Sequence, residues 1–466
     1  MSESSEQFVR PVLKNFIKSL RDIGYTFEIA VADIIDNSIS ASCSYVNIYA
    51  VQEENNAIFQ LLDDGIGMTN VELIEAMRIA TSDPDEKREK NDLGRFGLGL
   101  KTASFSQCTV LTVISKKQGQ LSIKQWDLDL LAKKNDWILI TPNLSTYSNL
   151  TLFKELNEIE SGTLVIWEKI DRFESAQYAL VLDKLRKHLS LVFHRFLSAH
   201  FDKKLRITIN RNPLKPFDPF NTNHKATLEK AEEIINYNNK SIVIKPFILP
   251  HHSKVNQQEW EFYATEDGYI KSQGFYLYRA NRLIIYGTWW GLHRATDAHK
   301  LVRIQIDITN DQDKFWGIDI KKSTATPLTE IKKELKNIIN NVTKEGAKPF
   351  STRGRIVKDK NLVRFWDRVV QPNEQYFKIN FEHPLIIGFV RTLDNNQSFI
   401  FKNIVMGIET YLPLQAIQVA LQETPHLMNQ EILFPKDERI ELVNKLTSLG
   451  FTDEEISGII KSEIVK

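Results

Sequence analysis

The chain has 466 residues, a formal net charge of +1, 42% hydrophobic residues and 26% charged residues, which is the balance of an ordinary globular protein of roughly three domains. With so little net charge the chain has no overall field that attracts nucleic acid, so such a contact would need a local patch. The two cysteines lack metal-type spacing, which argues against a zinc site and a disulfide framework. No apolar run approaches ~20 residues, which argues against a membrane span, and the polar, acidic residues 1–7 are unlike a signal peptide. These features predict a cytoplasmic protein with no membrane partner.

Two helices are predicted near the start of the chain. Apolar residues at a helical spacing indicate a short amphipathic helix over residues 8–20 and a largely buried helix over residues 27–41. The second helix contains Asp33 and Asn37 four residues apart, so a carboxylate and an amide share one face. Buried polar groups need partners, and two interpretations stay open: a structural hydrogen-bond network, or a pair that binds a hard metal ion such as Mg²⁺ and activates water.

A carboxylate followed by two glycines ends the second of two predicted strands. The strands cover residues 45–50 and 58–62, and the second leads into Asp63, Gly65 and Gly67. A carboxylate at a strand end can bond the edge of a flat heteroaromatic ring, while glycines let the ring approach the backbone. The alternative is a simple tight turn. A short helix is predicted next, over residues 70–79.

A glycine-rich stretch over residues 92–104 follows a polar loop, residues 81–91, which is expected to act as a mobile lid. Glycines that lead into a helix offer unpaired N–H groups and a positive dipole end, which suit phosphate, and Lys101 adds a charge one turn in. The spacing fits neither a Walker P-loop nor a Rossmann site. The open alternative is a glycine-rich turn in front of a core helix.

Further strands are predicted in two groups. The first group is residues 109–115, 120–126 and 162–167, followed by one long helix over 175–199. The second group begins near residue 200 and comprises residues 205–210, 242–247, 260–264, 274–278, 283–286 and 302–308, with a polar surface excursion over 221–239. Residues 276–294 mix aromatics and arginines, which favours a sheet edge beside a hairpin turn at 279–282 over a nucleic-acid surface.

The composition changes beyond Gly346. A charged amphipathic helix over residues 327–343 precedes a segment, residues 348–368, in which lysines and arginines crowd around Phe365 and Trp366. Such a segment fits either a phosphate-contacting patch or a solvated linker. Helices dominate from residue 376, including two short ones over 442–460 on either side of Gly450. We find no catalytic constellation in this tail.

These motifs, in this order, resemble those of the GHKL ATPase superfamily, which includes gyrase B, the ninety-kilodalton heat-shock chaperone, sensor histidine kinases, MutL and MORC. The run over residues 99–104 is especially similar to the corresponding run of MORC proteins, and the full set of motifs is similar to that of bacterial MORC-like ATP-binding proteins. The resemblance implies binding of ATP and Mg²⁺, with Asn37 as the metal ligand, Asp63 on adenine and Asp33 as the general base. Most members have glutamate where this chain has Asp33, and the shorter side chain implies slow turnover. The nucleotide-binding residues that the resemblance implies are Asn37, Ala41, Asp63, Gly65, Gly67, Met68, Gly94, Arg95, Phe96, Gly97, Leu98, Gly99, Leu100, Lys101 and Thr163.

The second group of strands resembles the transducer domain that follows the ATPase domain in MutL, gyrase B and the heat-shock chaperone. Residues 274–284 are similar to the strand–turn–strand of MutL around Asn-Gly-Arg, and residues 316–323 occupy the place of the loop that delivers a lysine to the γ-phosphate. Lys322 is the first candidate for that catalytic lysine and Lys321 the second. A cation from another domain can offset the charge that develops on the third phosphate. The alternative is a solvated lysine pair at a strand end.

The predicted fold class is α+β: a two-layer α/β sandwich of the Bergerat ATPase type over residues 1–200, a transducer-type α/β domain over 201–345 and a small, mainly helical region over 346–466. The resemblance implies an ATPase that works as an ATP-dependent homodimeric clamp on DNA, within a bacterial restriction or antiphage system. Two alternatives stay open. One is an ATP sensor without turnover that scaffolds a partner nuclease or methyltransferase, and the other is a chaperone-like remodeller of proteins.

Overall fold

The computed structural model describes residues 12–53, 56–79, 93, 99–172, 177–199, 204–319, 322, 324–346, 365–370, 375–423, 436–448, 450–453 and 456. The chain divides into two compact units, residues 1–250 with 262–346, and residues 251–261 with 347–466. None of the helices within these described ranges is long and apolar enough to cross a bilayer.

The first unit begins with a seven-stranded sheet and its helices. The elements in chain order are α1 (Leu13–Arg21), α2 (Phe27–Ser40), β1 (Tyr45–Glu53), β2 (Asn56–Asp63), α3 (Asn70–Met77), α4 (Gly99–Gln107), β3 (Cys108–Lys117), β4 (Gln120–Asp127), α5 (Leu128–Lys134), α6 (Thr151–Glu158), β5 (Gly162–Ile170), α7 (Tyr178–Val192), α8 (His194–Leu197), β6 (Arg206–Ile209) and β7 (Asn212–Pro213). The strand order is β4-β3-β5-β2-β1-β6-β7. Neighbouring strands are antiparallel except β1 and β6, which are parallel.

Side chains that alternate in direction along the strands form a core on each face of the seven-stranded sheet. Leu61 and Val113 belong to the main core, in which α1, α2, α4 and α7 pack on one face of the sheet. Leu62 and Ile114, one residue further along, belong to a smaller core on the opposite face, beneath α6. Successive side chains of a strand point to opposite faces, so each strand supplies both cores. This architecture confirms the predicted α+β class and α/β sandwich.

Helix α2 is anchored to the sheet by aromatic rings. The ring of Phe27 lies edge-on to Phe59 at 5.5 Å and to Trp167 at 5.7 Å, and the latter two rings lie 4.6 Å apart. Such pairs add to the burial of apolar surface. Most of α2 is buried, so the polar side chains on its buried face need partners.

The second half of this unit is a mixed sheet covered by a long helix. The elements from residue 228 onwards are β8 (Leu228–Glu229), β9 (Glu233–Tyr237), β10 (Lys240–Ile248), α9 (Gln257–Ala264), α10 (Gly268–Lys271), β11 (Gly274–Arg279), β12 (Arg282–Thr288), β13 (Val302–Ile308), α11 (Asp313–Trp316) and α12 (Thr329–Gly346). Residues 257–261 of α9 fall in the second unit. The strand order is β12-β11-β13-β10-β8, and β9 pairs with β10. Ile306 and Leu335 belong to the core between this sheet and α12. Tyr278 and Leu283, on the other face, pack with Leu191 of α7, which joins the two halves.

The second unit contains one hairpin and several helices. Its described elements are β14 (Trp366–Val370), β15 (Gln375–Ile379), α13 (Pro384–Arg391), α14 (Asn395–Thr410), α15 (Leu414–Glu423) and α16 (Lys436–Ser448). A small core joins the hairpin to α13 and α14 through Ile379, Ile386 and Val405. The helices agree with the pattern of the sequence, whereas the hairpin was not predicted.

Several local predictions were wrong. Residues 260–264 lie in helix α9 rather than in a strand, because the Asn256 side chain accepts the Glu259 N–H at 2.9 Å and starts a helix despite the aromatic, strand-favouring residues that follow. The helix predicted over residues 175–199 is divided at Phe193 into α7 and α8. The excursion predicted over residues 221–239 contributes β8 and β9 to the second sheet.

We expect Phe59→Ala to lower the free energy of unfolding by about 3–5 kcal/mol, because the ring is 1% exposed and its loss leaves a cavity beside Phe27 and Trp167. Urea unfolding of the intact chain, followed by tryptophan fluorescence, measures the change. Val71→Ala is the control, since that side chain is 71% exposed and its loss should cost less than about 0.5 kcal/mol. Equal effects of the two substitutions would contradict this account of the core.

Candidate functional site

Helix α2 presents three polar side chains on one side. Asp33 and Asp36 are buried, at 2% and 1% exposure, whereas Asn37 is exposed. The Asn37 amide nitrogen Nδ2 donates to the backbone oxygen of Asp33 at 3.1 Å. This bond uses the nitrogen of the amide, and the oxygen is the atom that binds a hard cation. The predicted base and the predicted metal ligand therefore lie one helical turn apart.

Two cations from the second half of the unit contact the carboxylates of α2. Lys322 Nζ lies 3.3 Å from Asp33 Oδ1 and 2.5 Å from Asp36 Oδ2. Arg282 Nε lies 2.7 Å from Asp36 Oδ1, and its Nη2 lies 3.6 Å from Asp33 Oδ1. The four side chains are between 1% and 9% exposed. We call Asp33, Asp36, Arg282 and Lys322 the charge cluster.

The environment of Asp33 makes its carboxylate more basic than usual. Burial raises the pKa of Asp33, Lys322 opposes that rise and the nearby Asp36 adds to it. The second carboxylate oxygen, Oδ2, accepts the Tyr25 hydroxyl at 2.9 Å. A raised pKa strengthens a carboxylate as a proton acceptor, which suits a general base.

Asp63 lies buried at the end of β2. The Ser38 hydroxyl donates to its Oδ2 at 2.7 Å and the Gly65 N–H donates to its Oδ1 at 3.0 Å. Burial raises the pKa of Asp63 to about 6. Because Ser38 belongs to α2, the same helix that carries Asp33 also fixes the orientation of Asp63.

The two glycines after Asp63 leave no room for a side chain. A Cβ on Gly65 would lie 2.8 Å from the Cβ of Ala41, and one on Gly67, whose φ is +64°, would lie 1.9 Å from the carbonyl oxygen of Lys116. The Ala41 carbonyl also accepts the Ile66 N–H at 3.1 Å. The turn is thus held closely against the end of α2 and against β3, and glycine alone fits.

Met68 and Thr163 meet at a serine of β3. The Met68 N–H donates to Ser115 Oγ at 2.8 Å, and this hydroxyl lies 2.9 Å from Thr163 Oγ1. Thr163 stands opposite Asp63 in the ladder of β2 and β5. The turn after β2 and the start of β5 therefore lie side by side, which brings together five of the predicted nucleotide-binding residues: Asp63, Gly65, Gly67, Met68 and Thr163.

Helix α4 begins at Gly99 and carries Leu100 and Lys101 in its first turn. The ammonium of Lys101 donates to the carbonyl of Ala76 in α3 at 2.9 Å, and burial lowers its pKa to about 8. Among the described residues, nothing lies within 4 Å of where a Cβ on Gly99 would be. Leu100 is half-buried against the main core.

Other predicted site residues lie outside the described part of the chain. They are Gly94, Arg95, Phe96, Gly97, Leu98 and Lys321, together with the predicted lid over residues 81–91. The basic segment over residues 348–364 lies outside it as well. Leu93, between lid and glycines, is described: it is 1% exposed and its carbonyl accepts Arg279 Nη1 at 3.2 Å.

The hairpin of β11 and β12 delivers two buried arginines. Arg279 binds Asp313 through two hydrogen bonds of 2.7 and 2.9 Å, and Arg282 belongs to the charge cluster. The turn residues Ala280 and Asn281 have φ of +48° and +69°, as a type I′ turn requires. Both arginines are 3% exposed and ion-paired within the protein, so the structure supports the sheet interpretation of this run over a nucleic-acid surface.

Sequence reasoning did not identify Arg282, Tyr25 or Ser115 as residues of the site. One signal was present for Arg282: it opens a strand whose next three residues are apolar, and a cation at the start of a buried strand needs a polar or charged partner. Tyr25 and Ser115 carry no such pattern, since a lone hydroxyl is common in buried elements. Their roles follow only from tertiary contacts with Asp33, Met68 and Thr163.

Comparison with known proteins agrees with this geometry. Residues 25–163 match the family described as "Histidine kinase-, DNA gyrase B-, and HSP90-like ATPase". The chain is 30% identical over 105 residues to "ATPase morc-1" of Caenorhabditis elegans, an alignment that covers 22% of this chain and 12% of that protein. It is 29% identical over 96 residues to "ATPase MORC2B" of Mus musculus, covering 20% of this chain and 9% of that protein. The matched part thus spans only a small share of these relatives' own length. Residues 25–163 are thus similar to the histidine kinase-, DNA gyrase B- and HSP90-like ATPase family, and the chain is similar there to MORC ATPases.

Proposed function

We propose that this chain binds ATP with Mg²⁺, hydrolyses it slowly and uses the nucleotide to close a homodimeric clamp. The observation that carries the proposal is the buried contact of Lys322 with Asp33 and Asp36. A cation from the second half of the unit thereby reaches the carboxylate that would act on water. The ATPase family match over residues 25–163 supports the choice of nucleotide.

The adenine would bind beside Asp63. With a pKa of about 6 this carboxylate is largely ionised at neutral pH, so it can only accept hydrogen bonds and suits the adenine amino group. Gly65 and Gly67 keep the turn free of side chains, and Ala41, Met68 and Thr163 flank it. The phosphates would lie at the N-terminus of α4, with residues 94–101, because backbone N–H groups and the helix dipole favour an anion there.

The metal would be shared between Asn37 and the phosphates. In the described ranges no group of three or more His, Cys, Asp or Glu side chains could hold a metal ion. The Asn37 amide therefore fits a Mg²⁺ that takes its other ligands from the nucleotide and water, which is the usual arrangement for this ion. The bound ion would neutralise charge on the phosphate oxygens.

Hydrolysis would use Asp33 as base and a lysine as electrostatic partner. Asp33 accepts a proton from the attacking water, a bond forms between that oxygen and the γ-phosphorus, and the bond to the bridging oxygen of ADP breaks. Lys322, or Lys321 as second candidate, would offset charge on the transferred group. Aspartate is one methylene shorter than glutamate, so the water stands further from its base and turnover is expected to be slow.

The proposed clamp requires that ATP binds more tightly to a closed form of the protein than to an open form. Closure would fold residues 81–91 over the nucleotide and pair residues 8–20 with a second protomer. DNA as the client and a place in a bacterial restriction or antiphage system rest on the resemblance stated above. The alternatives are a sensor without turnover that scaffolds a nuclease or methyltransferase, which the aspartate at position 33 favours, and a chaperone-like remodeller.

The nucleotide site is tested by two substitutions on α2. Asn37→Ala should abolish Mg²⁺-dependent binding of a fluorescent ATP analogue, because it removes the metal's protein ligand. Asp33→Asn should retain binding and lower the rate of phosphate release by roughly 100-fold or more, because the base is lost. Unchanged nucleotide affinity in Asn37→Ala would count against the site. Binding without phosphate release in the wild type would favour the sensor.

Nucleotide affinity should depend on pH through Asp63. Below a pH of about 6 the carboxyl gains a proton and no longer accepts the adenine amino group, so ADP affinity should fall by up to about tenfold per pH unit. Equilibrium binding of ADP between pH 7.5 and 5 measures this dependence. Asp63→Asn is the control for titration of the phosphates, and it should bind weakly with a flatter profile. Identical slopes for both proteins would refute the role of Asp63.

The clamp is tested by the molar mass of the intact chain in solution. A non-hydrolysable ATP analogue should shift monomer to dimer, whereas ADP should not, because only the third phosphate favours closure. Added duplex DNA should bind the dimer with an affinity that falls as salt rises, and it should raise the rate of phosphate release. A mass that is independent of nucleotide would contradict gating, and hydrolysis indifferent to DNA at every salt concentration would favour a protein client.

A further inference from the structure

We infer that Arg282 is a positioning residue whose fixed charge lets Lys322 leave the carboxylates of α2 and reach the third phosphate of a bound nucleotide. The inference rests on the proposed ATPase function and adds a residue to it. Its basis is the way the two cations divide Asp36 between them. Arg282 Nε binds Oδ1 at 2.7 Å, and Lys322 Nζ binds Oδ2 at 2.5 Å.

The charges of the cluster balance only while Lys322 is present. Asp33 and Asp36 contribute two negative charges, and Arg282 and Lys322 contribute two positive ones. When Lys322 departs, Arg282 remains 2.7 Å from Asp36 and 3.6 Å from Asp33, so one net negative charge is left. Without Arg282 the departure would leave two uncompensated carboxylates on one buried helix face, which is strongly unfavourable. Lys322 would then stay where it is.

Arg282 suits this task because it stays charged and is held independently of Lys322. A guanidinium does not lose its proton in proteins. Arg282 is the first residue of β12, directly after the tight turn, and the neighbouring Asn281 accepts a hydrogen bond from Arg195 of α8 at 3.3 Å. Its guanidinium also lies 5.7 Å from the ring centre of Phe193. These contacts fix it to a part of the sheet that does not include the segment of Lys322.

Lys322 itself has room to move, and its backbone is strained where it stands. Its φ is +52°, in the left-handed region that is unfavourable for any L-residue. The turn is closed by the Lys322 N–H on the Asp319 carbonyl at 3.1 Å. A cavity of about 220 Å³ borders Arg282 and Lys322, with Ile29 and Val192 among its other walls. The side chain can therefore move without displacing the core.

The inference is tested by how well each variant distinguishes a non-hydrolysable ATP analogue from ADP at equilibrium. Wild type should prefer the analogue and Lys322→Ala should lose that preference. In Arg282→Gln the ratio of analogue affinity to ADP affinity should fall by roughly tenfold or more, because Lys322 stays on Asp36, while ADP still binds. Adding Lys322→Ala to Arg282→Gln should then change little. A merely structural role would instead weaken both nucleotides alike.

Restoring the charge balance should restore the preference. The double variant Asp36→Asn with Arg282→Gln again leaves one negative charge when Lys322 departs, and the single variant Arg282→Lys keeps the cation. Both variants should prefer the ATP analogue over ADP at least partly as wild type does. Lys187→Gln breaks another ion pair between the halves, that with Glu266, and should leave the ratio unchanged.

The inference is overturned if Arg282→Gln discriminates as wild type does, or if Lys322→Ala has its full effect in that background. If Arg282→Gln does not fold, the other two variants still test the inference. It is overturned if either Asp36→Asn with Arg282→Gln or Arg282→Lys no longer prefers the ATP analogue over ADP. These outcomes differ from failure of the proposed function, in which wild type binds neither nucleotide.

Discussion

The charge cluster of Asp33, Asp36, Arg282 and Lys322 is the interaction on which the rest of this unit depends. Four charged groups, none more than 9% exposed, are tolerated in a protein interior only as matched pairs, because an unpaired buried charge costs several kcal/mol. The two carboxylates belong to helix α2 in the first half of the unit, and the two cations belong to the second half. The halves of the unit therefore cannot separate at this point without exposing or discharging these groups. A change in the charge of the carboxylates therefore alters the electrostatic energy of the two cations, and the reverse also holds.

The region around Asp63, where we propose that the purine binds, is built on a different physical basis. There the constraint is steric: Gly65 and Gly67 fit because the backbone of Lys116 and the side chain of Ala41 stand where their Cβ atoms would be. This region is made by α2, β2, β3 and β5 and uses no residue of the second sheet. Base recognition and detection of the third phosphate would thus be separate tasks, and Ser38 and Asp33, five residues apart on α2, connect them.

The sequence predicted what local pattern determines and missed what only tertiary contact determines. The helix over α2, the two strands that precede Asp63 and the hairpin at Arg279 to Arg282 follow from apolar spacing and turn chemistry, whereas the fold class followed from the resemblance of the motifs to a known superfamily. The helix at Trp260 was missed because a single cap at Asn256 outweighs the strand preference of aromatic residues. The pairing of Arg282 with Asp36 spans 246 positions, and no spacing rule reaches that far. A cation beside apolar strand residues does, however, indicate that a polar or charged partner is near.

The proposed hydrolysis at Asp33 would require Lys322 to move away from this carboxylate. Its Oδ2 accepts the Tyr25 hydroxyl and its Oδ1 faces Lys322, so both oxygens of the base are already engaged. A water that reached Asp33 in this arrangement would have to compete with a buried cation for the proton acceptor. If Lys322 moves to the third phosphate, it frees Oδ1 and raises the basicity of Asp33 by removing the charge that opposes its high pKa. One displacement would therefore supply the cation where charge develops and release the base that acts on water, which ties hydrolysis to the arrangement of the two sheets.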